Sequence, residues 1–358
     1  MSAAAARNAQ SAIRLGLREN VAQFTLLVIV NAFVGAMVGM ERSILPLIAE
    51  RDFQLVARSA VISFIVVFGV TKALTNYAAG RLADRIGRKH ILVAGWAVAL
   101  PVPLILMWAP SWNWILVANA LLGISQGLTW STTVIMKIDL VGSERRGLAM
   151  GLNEFAGYVA LAGAALMTGW IAARYGLRPD PFYPGVVFAV AGLALSAFVV
   201  QDTRAHVAVE STRQRGSVGA VSPGDVFWRT TLSDPNLSSI SQAGLVNNLN
   251  DGMAWGLFPL FFAAAGLTLD RIGILAAIYP ATWGILQLAT GGLSDRLGRK
   301  WLIAGGMWVQ AVGIGVVIVS RSFGGFASGG GLLGIGTAMV YPTLLAAIAD
   351  VAAPFSPV

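Results

Sequence analysis

Long apolar runs, separated by shorter polar stretches, fill the chain from residue 22 to residue 349. A membrane-spanning helix needs about 20 mostly apolar residues. The apolar positions are continuous rather than alternating, which favours helices over the strands of a barrel. The pattern therefore predicts an all-α membrane protein with ten spans, at roughly 22–48, 59–79, 90–109, 112–136, 147–172, 183–201, 237–265, 271–291, 301–320 and 325–349.

One polar connection is much longer than the others. It runs from Gln201 to about Asn236 and contains RQRGSVGAVSPGD, a stretch rich in Gly, Ser and Arg that is typical of a linker. We therefore predict a six-helix first half at 1–201, a linker at 202–236 and a four-helix second half at 237–358.

Composition supports a lipid environment and excludes several classes of site. Charged residues make up 12% of the chain and the mean hydropathy is +0.71, whereas a typical soluble protein is about 25% charged. The absence of cysteine excludes disulfides and thiolate metal sites. With two histidines far apart in sequence, we expect no metal, no cofactor and no catalytic residue, so the chain is not predicted to be an enzyme.

The net charge of +8 would suggest a nucleic-acid partner in a soluble protein, but here its distribution indicates topology instead. With the N-terminus in the cytoplasm, 16 of the 25 Lys and Arg residues fall on cytoplasmic segments and six fall outside. We therefore expect no nucleic-acid partner, and we expect the N-terminus and the central loop to be cytoplasmic. The abundance of Arg, Ala and Gly suggests a GC-rich bacterial genome, and we therefore expect a location in the bacterial inner membrane.

A charge-dense stretch occurs twice. GRLADRIGRK occupies 80–89, and GGLSDRLGRK occupies 291–300, which is 211 positions later. The same offset aligns LLGI at 121–124 with LLGI at 332–335, and Asp139 with Asp350. One offset that aligns three separated features indicates a duplicated half. We call the two stretches the first and second cassettes.

A cassette of Gly, three residues, Asp-Arg, one residue and Gly-Arg-Lys, placed between the second and third spans, resembles the signature of the major facilitator superfamily of secondary transporters. The resemblance covers about 22–358 and implies two pseudo-symmetric six-helix bundles, solute transport by alternating access, and a monomer in the lipid bilayer. The repeat places the counterpart of the sixth span beyond Val358. We therefore expect a truncated chain whose second bundle lacks its last two helices.

In the resembled family the cassettes act as conformational latches. Gly87 and Gly298 are expected at tight connections, and Gly80 and Gly291 where a neighbouring helix packs closely. Asp84 and Asp295 are expected to bind a helix N-terminus or an arginine. The basic residues could instead only retain the loops in the cytoplasm. The latch residues are Gly80, Asp84, Arg85, Gly87, Arg88, Lys89, Gly291, Asp295, Arg296, Gly298, Arg299 and Lys300.

Ionisable groups inside spans are the candidates for substrate binding or proton coupling, since burying one costs roughly 2.5–3.5 kcal/mol. Glu41 and Arg42 lie in the outer half of span one, where the alternative is an outer-end ion pair or snorkelling to the interface. Asp251 lies in span seven among Asn247, Asn248 and Asn250, which favours a cavity position. The 211-residue offset brings Glu41 to a depth similar to that of Asp251.

Further candidates lie in other spans. Glu154, next to Asn153 in span five, could contact substrate or pair with Lys137 or Arg146. Lys72 could attract an anionic substrate or snorkel inward. An aromatic and amide lining is predicted from Gln126, Trp130, Trp255, Tyr279, Trp283 and Gln287.

The sequence thus favours a transporter of a small solute, with protons as the coupling ion because Glu41, Glu154 and Asp251 can titrate. Two alternatives stay open: a non-transporting remnant or substrate sensor of the same fold, and a membrane-embedded enzyme. The enzyme is less favoured, because it would need a nucleophile–base pair or metal ligands within the spans, and neither histidine lies in the middle of a span.

Overall fold

The structure is a computed structural model. It describes residues 15–141, 146–207 and 228–352, without the side chains at 58, 81, 84, 146–149, 229, 230, 291, 292, 295, 296, 346 and 348–352. No strand occurs in these ranges, and all their regular structure is helical. The predicted all-α class is confirmed.

The principal helices, labelled in chain order, account for all ten predicted spans. They are α1 Val21–Arg42, α2 Leu45–Arg51, α3 Arg58–Val61, α4 Ser63–Ile86, α5 Arg88–Ala99, α6 Pro101–Trp108, α7 Trp112–Val141, α8 Arg146–Tyr175, α9 Tyr183–Ala194, α10 Pro235–Gly256, α11 Phe258–Ala264, α12 Leu269–Leu297, α13 Arg299–Val319 and α14 Phe323–Ala352. A 3₁₀ turn at Asp180–Phe182 precedes α9, and π-helical segments occur at Leu195–Val199 and Arg229–Ser233.

Proline explains why three predicted spans are each divided into two helices. The run at 22–48 becomes α1 and α2, the run at 90–109 becomes α5 and α6, and the run at 237–265 becomes α10 and α11. In each case the second helix restarts with a proline in its first two positions. Proline is tolerated there because the first amides of a helix have no intrahelical acceptor.

Within the described ranges, eight helical segments are long and apolar enough to cross a membrane. The other two predicted spans, α7 with 30 residues and α10 with 22, also have the length of a span. They are less apolar because they carry many of the buried polar side chains, among them Asn119, Gln126, Asn247 and Asp251. These two helices therefore bring several of the buried polar groups into the interior of the protein.

The described residues fall into two compact units. The first has the bounds Met1–Gln214 and Gly256–Ala277, and the second has the bounds Arg215–Trp255 and Ile278–Val358. The predicted halves and linker stay a prediction.

Glycine contacts recur in both units at the predicted offset. A Cβ on Gly95 would come within 3.0 Å of Leu128 and Thr129, and one on Gly306 would come equally close to their counterparts Met339 and Val340. Such contacts let two helices pack at close range.

A second pair repeats in the same way. A Cβ on Gly123 would meet Thr71 and the carbonyl of Phe68, and one on Gly334 would meet Thr282 and the carbonyl of Tyr279. Each of these residues is the other's partner under the 211-residue shift. The two units therefore share a helix-packing scheme as well as a sequence repeat.

Candidate functional site

In the first unit, polar side chains seven residues apart on α7 face α1. The hydroxyl of Thr133 donates to Asn31 Oδ1 at 3.0 Å, and Gln126 Nε2 donates to the carbonyl of Val34 at 2.7 Å. Asn119 lies beside Glu41. A seven-residue spacing returns to the same face of a helix after two turns, so the three polar contacts form one ladder between α1 and α7.

Glu41 and Arg42 form a buried ion pair at the end of this ladder. Arg42 Nη1 lies 3.5 Å from Glu41 Oε1, and the two side chains are 1% and 0% exposed. The guanidinium carbon also lies 4.7 Å from the ring centroid of Phe68 and 5.7 Å from that of Phe64. Both carboxylate oxygens of Glu41 are buried without a hydrogen bond of normal geometry. Of the two alternatives stated for this pair, snorkelling is wrong, because neither side chain reaches the surface.

A second polar cluster lies farther along α7, where it meets α8. Lys137 Nζ donates a short hydrogen bond to Asn153 Oδ1. Asn153 Nδ2 and Trp130 Nε1 then donate to Glu154 Oε1 at 2.8 and 3.0 Å, while Asn31 Nδ2 donates to the carbonyl of Asn153 at 2.7 Å. Asn153 thus bridges the predicted partners Lys137 and Glu154. The side chain of Arg146 lies outside the described part.

Lys72 on α4 adjoins this cluster. Its ammonium nitrogen lies 5.4 Å from the ring centroid of Trp130 and 5.6 Å from that of Phe68. These are distances at which an aromatic face attracts a cation. Lys72 also acts electrostatically on Glu154. The second Glu154 oxygen, Oε2, is buried and makes no hydrogen bond to the side chains that the structure describes.

The second unit has a polar network that connects four helices. Tyr279 of α12 donates a short hydrogen bond to Asp251 of α10, and its hydroxyl lies 3.3 Å from that of Thr337 on α14. Gln310 of α13 donates to Thr337 Oγ1 at 2.9 Å and to Asn247 Oδ1 at 2.6 Å. The amide of Asn250 donates to Gln310 Oε1 at 2.9 Å. Asp251, Asn247 and Asn250 are therefore brought together as predicted.

Other residues of the predicted lining have different surroundings. The Trp283 ring is buried between Tyr279 and Tyr341, with ring centroids 5.9 and 5.3 Å away. Gln287 is buried, and its Nε2 has no hydrogen bond. Asn248 donates to the carbonyl of Gly244 in its own helix and is exposed, so it does not surround Asp251.

The glycines of the cassettes occupy the predicted tight connections. Gly87 separates α4 from α5 with φ of 114°, and Gly298 separates α12 from α13 with φ of 86°. Positive φ favours glycine because a Cβ is strained there. Each connection is one residue long. A Cβ on Gly80 would meet no described atom within 4 Å, so the close packing expected at Gly80 is not seen among the described residues.

Among the described side chains of the first cassette, Arg88 is a buried charge. Arg88 Nε donates to Asp139 Oδ2 at 3.1 Å, and the hydroxyl of Thr203 donates to the same oxygen at 2.6 Å. The amide of Lys89 donates to Asp202 Oδ2 at 3.2 Å, and Arg85 is exposed. This arrangement connects α5, the end of α7 and the segment after α9.

In the second cassette, Arg299 Nη1 donates a short hydrogen bond to Ser294, and Lys300 lies 6.0 Å from the ring of Trp301. The side chains of Asp84, Asp295 and Arg296, and any neighbours of Gly291, lie outside the described part. Their predicted latch role stays a prediction.

These clusters give the protein buried carboxylates whose partners are amides, hydroxyls and ammonium groups. Such groups can hold or release a proton and can bind the polar part of a solute. In the part of the chain that the structure describes, no three metal-ligating side chains come together.

Comparison with protein families matches nearly the whole chain. The family model of the Major Facilitator Superfamily matches residues 27–246 and 240–356. A solved structure of the peptide transporter POT in complex with sulfate superposes with a TM-score of 0.59 at 15% identity, over 92% of this chain and 82% of that one. At this identity the likeness shows the fold alone.

Curated relatives are similar over part of their length. A probable 4-methylmuconolactone transporter of Cupriavidus pinatubonensis is 27% identical over 64% of this chain and 53% of its own length. The multidrug resistance protein MdtG of Dickeya zeae is 27% identical over 66% of this chain and 57% of its own. The inner membrane transport protein YajR of Escherichia coli is 29% identical over 46% of this chain and 36% of its own. The chain spans about half the length of the first two relatives.

Proposed function

Because the chain belongs to the Major Facilitator Superfamily, we propose that it carries a small solute across a membrane by alternating access and couples this movement to protons. The names of its relatives support solute transport, since they describe transporters of a lactone and of drugs. None of these three names describes an enzyme.

The observation that carries the proposal is the network around Asp251. A carboxylate in the interior of a membrane helix is costly unless polar groups surround it. Here side chains from α10, α12, α13 and α14 are connected by hydrogen bonds to one another and to this carboxylate. A purely structural helix contact does not require an acid, so the network supports a role in proton coupling or solute binding.

Glu41 and Glu154 are the second and third proposed coupling residues. Both are buried; the Glu41 carboxylate faces Arg42 at 3.5 Å, and Glu154 Oε2 has no hydrogen-bond donor among the described residues. An acceptor in this condition is stabilised by a proton or by a bound donor. The first unit thus supplies two acids that could exchange protons during the transport cycle.

We also propose the topology that the basic residues indicate. The chain is a multi-pass membrane protein, and relatives such as the inner membrane protein YajR support the bacterial inner membrane. In this proposal the N-terminus and the central linker are cytoplasmic, the protein acts as a monomer, and both cassettes lie on the cytoplasmic side.

The experiment is proton-coupled flux in proteoliposomes. The purified full chain is reconstituted with a pH-sensitive dye inside, and solutes selected by thermal stabilisation are added outside. We expect at least one stabilising solute to move protons, and Asp251→Asn to abolish this proton movement. Glu50→Gln, which alters an exposed acid, should leave it unchanged.

The alternative functions give other results. A solute that stabilises the protein without any flux would identify a sensor or remnant. Flux that is unaffected by pH and by Asp251→Asn would show transport without the proposed coupling. Chemical conversion of a solute, detected by mass spectrometry, would indicate a membrane-embedded enzyme.

A further inference from the structure

We propose that the solute is an organic monocarboxylate, and that Lys72 and Asn76 on α4 bind its carboxylate while Trp130 on α7 contacts its hydrocarbon part. This inference rests on the proposed function and adds a substrate class to it.

The first observation is a polar, accessible face on α4 and α7. Lys72 is partly exposed, and Asn76, one turn later on the same helix, is exposed. The Ser131 hydroxyl of α7 donates to Asn76 Oδ1 at 2.8 Å. Lys72 and Asn76 lie about two turns and one turn before the first cassette, still within the apolar span Ser59–Gly80, where contact of an ammonium or an amide with lipid would be costly. We infer that this face borders a polar compartment.

The second observation is that this face presents hydrogen-bond donors. Ser131 occupies the acceptor oxygen of Asn76, which directs the Asn76 amide N–H groups to a ligand. The ammonium of Lys72 can only donate. Donors from an amide and an ammonium one helical turn apart match the two oxygens of a carboxylate.

The third observation is the formal charge of the interior of the first unit. The described buried ionisable side chains of the first unit are three acids, Glu41, Asp139 and Glu154, and three bases, Arg42, Arg88 and Lys137, and the partly exposed Lys72 of α4 adds a fourth base. The bases exceed the acids by one. A ligand with a single negative charge would neutralise this excess, whereas a cation would double it.

Trp130 gives the site an apolar surface next to the ammonium. Its ring lies 5.4 Å from Lys72 Nζ, and its indole N–H donates to Glu154. The face of the ring can therefore contact hydrocarbon while its edge stays hydrogen-bonded inside the protein.

In the second unit, the contact equivalent to that between Lys72 and Trp130 is made by two uncharged residues. The counterparts of Lys72 and Trp130 are Trp283 and Tyr341, whose ring centroids lie 5.3 Å apart. The helix contact is therefore made without a lysine at the equivalent position, so packing does not require one. Lys72 is a departure from the repeat, as expected of a residue that serves a ligand.

The test is isothermal titration of the purified full chain with three matched series. Each series contains an acid, its amide and its amine, built on phenyl, cyclohexyl or pentyl groups, such as benzoate, benzamide and benzylamine. We expect the carboxylates to bind in preference to the amides and amines. Lys72→Gln should weaken carboxylate binding at least about tenfold, since a charge-assisted hydrogen bond is lost, and Lys72→Arg should retain most of it.

The matched control is Arg174→Gln, which also removes a cation from a tryptophan face, 4.1 Å from the centroid of Trp170. It should not change carboxylate affinity. Thermal unfolding of each variant verifies that it is folded, and Asn76→Leu provides a second variant of the same site.

The proposal is overturned if no carboxylate binds, if an amide or amine binds as tightly as its acid, or if folded Lys72→Gln keeps wild-type affinity. Transport of a neutral or cationic solute in proteoliposomes would likewise overturn this inference and leave the proposed function standing. Carboxylate binding without any flux would support the proposed ligand site and overturn the proposed transport function.

Discussion

The hydroxyl of Tyr279 donates a hydrogen bond to the carboxylate of Asp251, from a neighbouring helix of the same unit. The repeat counterpart of Tyr279 is Phe68, whose ring instead lies 4.7 Å from the guanidinium carbon of Arg42. The equivalent position therefore contacts a buried acid in one unit and a buried base in the other.

Tyr279→Phe should destabilise the protein by about 1–3 kcal/mol, because it removes a donor from a buried carboxylate and leaves the ring in place. The measurement is the unfolding free energy in detergent. The double variant Tyr279→Phe with Asp251→Asn should lose less than the sum of the two single variants. Additive losses would show that the hydrogen bond contributes nothing.

Gly306→Ala should destabilise the protein by about 1–3 kcal/mol, since the new Cβ would overlap Val340, Met339 and the carbonyl of Gly336. Gly315→Ala is the matched control on the same helix, because no described atom lies within 4 Å of its Cβ. There we expect no loss, or a gain of about 0.5–1 kcal/mol. Equal thermal unfolding midpoints for the two variants would contradict the close packing of α13 and α14.

Arg88 and Asp139 should show strong energetic coupling. Removing one partner of a buried ion pair leaves the other uncompensated, at a cost of about 3–5 kcal/mol. We expect a double-mutant cycle of Arg88→Met and Asp139→Leu to give a coupling energy above about 1 kcal/mol. The same cycle on the more exposed pair Arg178 and Asp52 should give less than about 1 kcal/mol. A larger coupling energy for Arg178 and Asp52 than for Arg88 and Asp139 would show that the buried pair does not hold its three segments together.

His206 should make stability depend on pH. Burial lowers the pKa of this half-buried histidine from its ordinary 6.5, and its Nε2 lies 3.3 Å from Asn20 Oδ1. The unfolded chain therefore takes up the proton first, so stability is complete above pH 6.5 and falls as the pH drops through 6.5 toward the folded-state pKa.

The measurement is the unfolding midpoint of the wild type and of His206→Gln between about pH 5 and 8. The wild type should lose stability relative to the variant as the pH falls. A constant difference across this range would show that His206 titrates equally in both states.

The absence of cysteine allows a direct test of topology. A cysteine at Ser217, in the central linker, should resist an impermeant thiol reagent in intact cells. A cysteine at Tyr175, which is exposed at the end of α8, should react. Rapid labelling at Ser217 together with protection at Tyr175 would reverse the proposed orientation.

The helices could be predicted from the sequence because apolar runs of spanning length leave little choice of structure in lipid. Asp251 and Glu41 were identifiable because an acid stands out in such a run. The partners of Asp251 were harder to predict. Gln310 and Thr337 are single polar residues in otherwise apolar helices, and their role depends on the rotation of α13 and α14 about their axes.

Other details depended on local geometry. Pro46, Pro101 and Pro259 could have predicted where spans divide, and the spacing of Asn119, Gln126 and Thr133 could have predicted the ladder with α1. The pairing of Arg88 with Asp139 and Thr203 could not have been predicted, because it brings together the ends of three distant segments.

The glycine contacts shared by the two units distinguish features that predate the sequence duplication from features that arose after it. A contact present in both copies, such as Gly95 with Leu128 and Gly306 with Met339, existed in the ancestral half before it was duplicated. Lys72 and Trp283, or Phe68 and Tyr279, differ between the copies and so diverged afterwards. The two units thus share close glycine contacts between helices but differ in the chemistry of the side chains beside them.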